Sequence, residues 1–166
     1  MKHRTLACLL SIALLSACSS SNSSRNSSGT GGTADNAGGT GGGGPRAPAG
    51  SQEDLVQSAG DRVFFDTDLS TLNPLATATL DRQASWMQQY PQVNVWVAGN
   101  CDERGTEEYN LALGQRRANA DRDYLVAHGI NRSRIETISY GKSRPIDAAS
   151  TPEAWTQNRN AITSVR

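Results

Sequence analysis

Gly99-Asn100-Cys101-Asp102-Glu103-Arg104-Gly105-Thr106-Glu107-Glu108-Tyr109-Asn110-Leu111-Ala112-Leu113-Gly114-Gln115-Arg116-Arg117-Ala118 joins three things in one run. It holds the end of a strand, a charged loop and the first half of a long helix. Upstream, Val93, Val95 and Val97 alternate with Asn94, Trp96 and Ala98. That is the period of a strand with one face on a core. Thr106 supplies a helix cap, and Glu107 and Glu108 place two acids on the positive end of the helix dipole. The helix runs on to His128-Gly129, where a basic side chain and a C′ glycine close it. The charged residues Asp102 and Glu103 therefore fall just past a strand end, before a helix start.

The same two periods recur on either side. Arg62-Val63-Phe64-Phe65 is a short β-prone run. Asn73-Pro74 reads as a cap followed by an N1 proline, and Leu75, Leu80, Ala84 and Met87 fall near helical spacing. Tyr90-Pro91 ends that helix. Ile135 to Tyr140 reads as a third strand, Thr151-Pro152-Glu153 as the start of a short helix, and Ala161 to Val165 as a fourth strand. The order β-α-β-α-β-α-β places the chain in the α+β class. It is expected to be an α/β sandwich with helices on one face of a mixed sheet. Residues 61–166 are expected to form this domain, a length sufficient for one core.

The N-terminus reads differently. Lys2 and Arg4 precede an apolar run from Leu6 to Leu15, and Leu15-Ser16-Ala17-Cys18 follows. This is the order of a bacterial lipoprotein signal: positive charge, a short apolar core, small residues and a cysteine. The run falls short of the roughly 20 apolar residues of a membrane span. Residues 1–17 are expected to be removed. Cys18 is then lipidated, with diacylglycerol on sulfur and an acyl chain on nitrogen. Each buried methylene contributes about 0.8 kcal/mol to such an anchor. Ser19, where an Asp favours inner-membrane retention in lipoproteins of this kind, points to the outer membrane and its periplasmic face. Residues 18–60 are rich in Ser, Asn, Gly, Thr and Ala, with Gly41 to Gly44 in succession and almost no aliphatic residue before Leu55. Such a segment buries too little apolar surface to offset its ordering entropy. A disordered tether is expected there.

Composition excludes several classes of function. The chain has 16 basic and 16 acidic residues and is formally neutral. Loss of Lys2 and Arg4 leaves sixteen acids against fourteen bases, which is not the basic balance of a nucleic-acid binder. Cys8 leaves with the signal and Cys18 is lipidated, so Cys101 is the one free thiol and no internal disulfide is expected. His128 is the only histidine after cleavage, which argues against a His-based zinc site or catalytic triad.

The run from Gly99 to Ala118 resembles the signature of the OmpA-like peptidoglycan-binding family, and within it the peptidoglycan-associated lipoproteins of the Tol-Pal system. Val63-Phe64-Phe65-Asp66-Thr67-Asp68, Ile138-Ser139-Tyr140-Gly141-Lys142-Ser143-Arg144-Pro145 and Trp155-Thr156-Gln157-Asn158-Arg159 match the same family in order. The resemblance implies an OmpA-like fold. It also implies a protein that binds the diaminopimelate of peptidoglycan stem peptides without cleaving it, supports envelope integrity and division, needs no cofactor, and works with TolB and TolA. Diaminopimelate presents an amine and a carboxylate. By resemblance Asp102 takes the ammonium, and Arg117 takes the carboxylate through its planar fork. Backbone N–H groups near Thr106 add donors, and Asp66 and Thr67 line the same end.

Three positions depart from the family pattern. Asn100-Cys101 stands where a His and a small residue are usual, so a titrating group is lost. Asn160 stands where a second Arg is usual. Asp121, four residues after Arg117, replaces an apolar residue and is expected to pair with Arg117 along the helix. Trp86, Trp96 and Trp155 read as packing or interface residues, and Gly141 as a turn. The alternatives are a wall-active hydrolase, for which Glu103 is the one attractive acid, and an OmpA-like wall anchor of a motor or secretion apparatus.

Overall fold

The computed structural model describes residues 47–166. Cys18, the signal and most of the expected tether lie outside the described residues. The elements are α1 (Gln52–Ser58), β1 (Arg62–Phe64), α2 (Pro74–Gln89), β2 (Val95–Asn100), α3 (Glu107–Ala127), a single 3₁₀ turn (Arg132–Arg134), β3 (Ile135–Gly141), α4 (Pro152–Asn158) and β4 (Asn160–Val165). The α+β class and the alternating order from β1 onward agree with the sequence reading. The strands form one mixed sheet in the order β1-β4-β2-β3. β2 and β3 run parallel across the α3 crossover, and β4 lies antiparallel to both β1 and β2.

The caps are those the sequence announces. Asn73, Thr106 and Thr151 each accept a backbone N–H from the first turn of their helix. The core lies under one sheet face. Val63, Val95, Val97, Ile135 and Ala161 meet Leu80, Met87, Ala118 and Leu125 from α2 and α3. At two glycines α3 touches the sheet backbone. A Cβ on Gly99 would sit 1.8 Å from the Gly114 carbonyl oxygen, and one on Gly114 would sit 2.4 Å from Ser139 Oγ. This crossing fixes the start of α3 relative to the end of β2, where the ladder is irregular between Gly99 and Asn100.

The tether does not extend to residue 60. Ser51 caps α1, accepting from Asp54 N at 3.2 Å. Leu55 is fully buried in the domain core. Asp54 is buried and accepts from Trp86 Nε1 (3.0 Å), Gly50 N (2.9 Å) and Ser58 Oγ (3.1 Å). The Gln52 amide reaches β4, donating to Thr163 O and accepting from Val165 N at 2.8 Å. β1 pairs with β4 only at Asn160 to Ile162, so this side chain satisfies the β4 backbone beyond the end of β1. The folded unit therefore begins about ten residues before Asp61.

Candidate functional site

Strand β2 ends at Asn100, and the chain turns through Cys101 to Gly105 before α3. The Cys101 N–H donates to Gly141 O at 2.8 Å, which ties this turn to the end of β3. Asn110 donates from Nδ2 to Arg104 O (2.7 Å) and Thr106 O (3.0 Å). Lys142 Nζ donates to Gly105 O at 2.7 Å. The Glu103 carboxylate accepts from Trp155 Nε1 (2.9 Å) and Ser150 Oγ (3.0 Å). The charged loop is thus pinned from α3, from the segment after β3 and from α4.

A recess of about 320 Å³ opens between this loop and the one after β1, lined by Thr67, Asp68, Asp102, Arg104, Gly105 and Tyr109. Asp68 holds φ 57°, a left-handed conformation that Asp tolerates better than most residues. Asp102 is the recess's nearly buried anion, with its side chain 8% exposed. It accepts from Arg104 Nε (3.1 Å) and Nη2 (2.6 Å), from Arg104 N (3.2 Å), and from Arg159 Nη1 (3.3 Å). Burial works to raise its pKa. The hydrogen bonds and charge of Arg104, joined by Arg159, outweigh burial and hold the carboxyl below the usual carboxylate value. Asp102 is therefore a stable carboxylate with two guanidinium partners.

Asp102 and Thr67 both line the recess. Asp66 contributes its carbonyl to the wall behind, while its residue is exposed at the surface. Thr106 caps α3 beside Gly105. Arg117 is not open to the recess, and this corrects the expected bidentate fork. Its side chain is fully buried. It donates to Leu69 O (2.9 Å), Asn100 O (2.9 Å), Asp66 O (3.0 Å) and Cys101 Sγ (3.4 Å). Four of five N–H groups are spent on the protein, so one remains. Burial lowers its pKa from the ordinary guanidinium value. The same burial pushes the Cys101 thiol up. Arg117 clasps the loop after β1 to the end of β2, and so fixes the width of the recess.

Asp121 does not pair with Arg117. Both its carboxylate oxygens are buried without a hydrogen-bond partner, and the Arg117 donors go to Leu69, Asn100, Asp66 and Cys101 instead. Burial raises the Asp121 pKa well above its ordinary value. Sequence reasoning also missed Arg104, Arg159, Asp68 and Tyr109 as site residues. Arg104 lies two positions after Asp102 in the motif itself, a spacing that lets one turn of loop close an ion pair.

Glu103 has the wrong protonation for a hydrolytic acid. Hydrogen bonds from Trp155 and Ser150 hold its carboxyl below the usual value, whereas a general acid needs its pKa raised. Among the described residues no cluster of His, Cys, Asp and Glu is arranged to hold a metal ion. No described helix is long and apolar enough to cross a membrane.

The OmpA family profile matches residues 64–159. The chain belongs to the OmpA family. Within it, the sequence groups with the peptidoglycan-associated lipoproteins. It is 52% identical over 117 residues to the peptidoglycan-associated lipoprotein of Rhizobium meliloti, covering 70% of this chain and 66% of that one. It is 52% identical over 119 residues to the peptidoglycan-associated lipoprotein of Mesorhizobium japonicum, covering 72% of this chain and 71% of that one. The chain thus spans about two thirds of the length of these relatives. The crystal structure of the peptidoglycan-associated lipoprotein from Burkholderia pseudomallei superposes with a TM-score of 0.62 at 38% identity, covering 64% of this chain and 90% of that one. These OmpA-family names describe association with peptidoglycan, not catalysis.

Proposed function

We propose that this OmpA-family domain binds the diaminopimelate of peptidoglycan stem peptides and holds the outer membrane to the wall. The observation that carries the reading is Asp102. It is a carboxylate kept ionised at the wall of a polar recess, paired with the exposed Arg104 and the more buried Arg159. An ammonium is the ligand charge such a group would take up. Arg104, whose side chain is 44% exposed, is the cation such an ammonium would displace. Once displaced, its planar fork is free for the ligand carboxylate. The N–H groups of the first turn of α3 beyond Thr106 add donors at the same end. Thr67 and Asp68 border the recess from the loop after β1, with Asp66 beside them in the chain.

In this reading Cys18 carries the diacylglyceryl and acyl chains, Ser19 directs the lipoprotein to the outer membrane, and the chain before α1 spans the gap. TolB and TolA are the partners the family resemblance brings with it. The deciding experiment is retention of the full-length protein on purified sacculi, with and without free diaminopimelate. Free diaminopimelate should release the protein, and Asp102→Asn should abolish most retention. Undiminished retention by Asp102→Asn would reject the site. Incorporation of labelled palmitate that is lost in Cys18→Ser tests the anchor separately.

A further inference from the structure

The sheet has a second face. Trp96, Ala98, Ile138, Tyr140 and Ile162 alternate with the core residues and point away from α2 and α3. With Ser164 they line a groove of about 390 Å³, within the roughly 300–1,000 Å³ range of ligand sites. Trp96 is 37% exposed and the other apolar residues are half-buried. Two guanidinium groups sit on the aromatic rings of this face. Arg166 lies 4.9 Å from the Trp96 ring centroid and is neutralised by Glu136. Arg144 lies 3.6 Å from the Tyr140 centroid and has no carboxylate partner among the described residues. Held over the ring, this guanidinium keeps its N–H donors for a carboxylate.

We propose that this groove docks an extended, acidic segment of a protein partner, whose aliphatic side chains fill the groove and whose carboxylate pairs with Arg144. The proposal does not depend on wall binding, since Arg144 and Ser164 lie outside the Asp102 recess. Three features select this occupant. Apart from Trp96 the apolar residues are half-buried in the groove, so they receive side chains rather than insert into a lipid surface. Stacked guanidinium groups cover the rings, so the flat aromatic platform a sugar needs is taken. The unneutralised charge on the rim is positive, so a second copy of this face would repel it.

A random dodecamer display library selected on the full-length protein tests this directly. Enriched peptides should place an acidic residue beside a run of aliphatic ones. A synthetic peptide of the winning sequence should lose at least tenfold in affinity to Arg144→Glu and to Ser164→Trp, which fills the groove. Arg144→Lys should retain part of the binding. Both disruptive variants should keep the wild-type circular dichroism spectrum and urea midpoint, which shows that they fold. The proposal fails if no peptide is enriched, if basic peptides win, or if the winners ignore Arg144→Glu. It also fails if phosphatidylglycerol vesicles or chitotetraose bind the groove with the same dependence on Arg144. Self-association abolished by Ser164→Trp would likewise overturn it.

Discussion

Asn100 Nδ2 donates to Asn160 Oδ1 at 2.8 Å, joining the end of β2 to the start of β4 inside the protein. These are two of the three positions at which the chain departs from its family's sequence pattern, and the departures meet each other. Asn100 is 3% exposed and Asn160 fully buried. Asn160 passes the chain of bonds on to Gln157 O at 2.6 Å, and the Asn100 carbonyl takes a bond from Arg117. A buried neutral amide pair thus stands beneath the site where the family pattern places a His and an Arg. Each amide is the other's partner, so the two substitutions form one structural unit.

That unit should show in a double-mutant cycle. Asn100→Ala and Asn160→Ala each leave the other amide buried and short of a bond, which costs about 1–3 kcal/mol. The double variant should lose clearly less than the sum, because the second truncation removes a group already left unpaired. Urea denaturation of the four proteins measures this. Strict additivity would show that the pair carries no coupling.

Asp102 gives the pH dependence of wall binding a definite sign. Its folded pKa is depressed, so its contribution to stability is complete above the unfolded value of about 3.9 and is lost as pH falls through the lower folded value. Retention on sacculi should therefore hold steady from pH 8 down to about 5, well above that titration. It should show no step near the roughly 6.5 of histidine, since Asn100 does not titrate. High salt should weaken retention, because ion pairs at a solvent-facing recess are screened. A retention curve stepping between pH 6 and 7 would point to a different ligand group.

Arg117 should matter for folding as well as for binding. Arg117→Ala removes the donors to three carbonyls, and each buried polar group left unpaired costs about 1–3 kcal/mol. We expect a loss of at least about 3 kcal/mol in urea denaturation. Arg117→Lys should recover only part of this, since a point charge cannot reproduce a planar fork reaching Leu69, Asn100 and Asp66 together. A stable Arg117→Ala variant that fails only in wall binding would instead place the guanidinium on the ligand.

Asp121 should make the protein less stable at neutral pH than it need be. Its folded pKa is raised by burial, so the folded state keeps a proton that the unfolded state releases above about 3.9. Stability should fall as pH rises from about 4 to the folded value, and then level off. Asp121→Asn keeps the shape and removes the titration. It should be more stable at pH 7 and equal to wild type at pH 3. Denaturation across that range checks both limits, and a variant weaker at pH 7 would reveal a hidden partner for the carboxylate.

The sequence by itself determined the local elements. Caps at Asn73, Thr106 and Thr151, the alternation around Val95, and the glycine at 129 act over a few residues, so their effect is readable without neighbours. Helix α1 was missed, although a local signal for it was present. Ser51 and Asp54 stand three apart before Leu55, a capping pattern whose signal was drowned by the Gly- and Ser-rich composition around it. The position of Asp102 after a strand end was legible for the same local reason. Tertiary structure alone decided what each charge does. Arg117 and Asp121 sit one turn apart on α3, and spacing along the helix suggests that they pair. Three carbonyls from two other segments compete for the same guanidinium, and burial leaves the carboxyl without a partner. Those carbonyls come from chain 17 to 51 residues away. A buried charge is governed by whatever packing brings to it, because desolvation outweighs the small gain of an exposed helical pair.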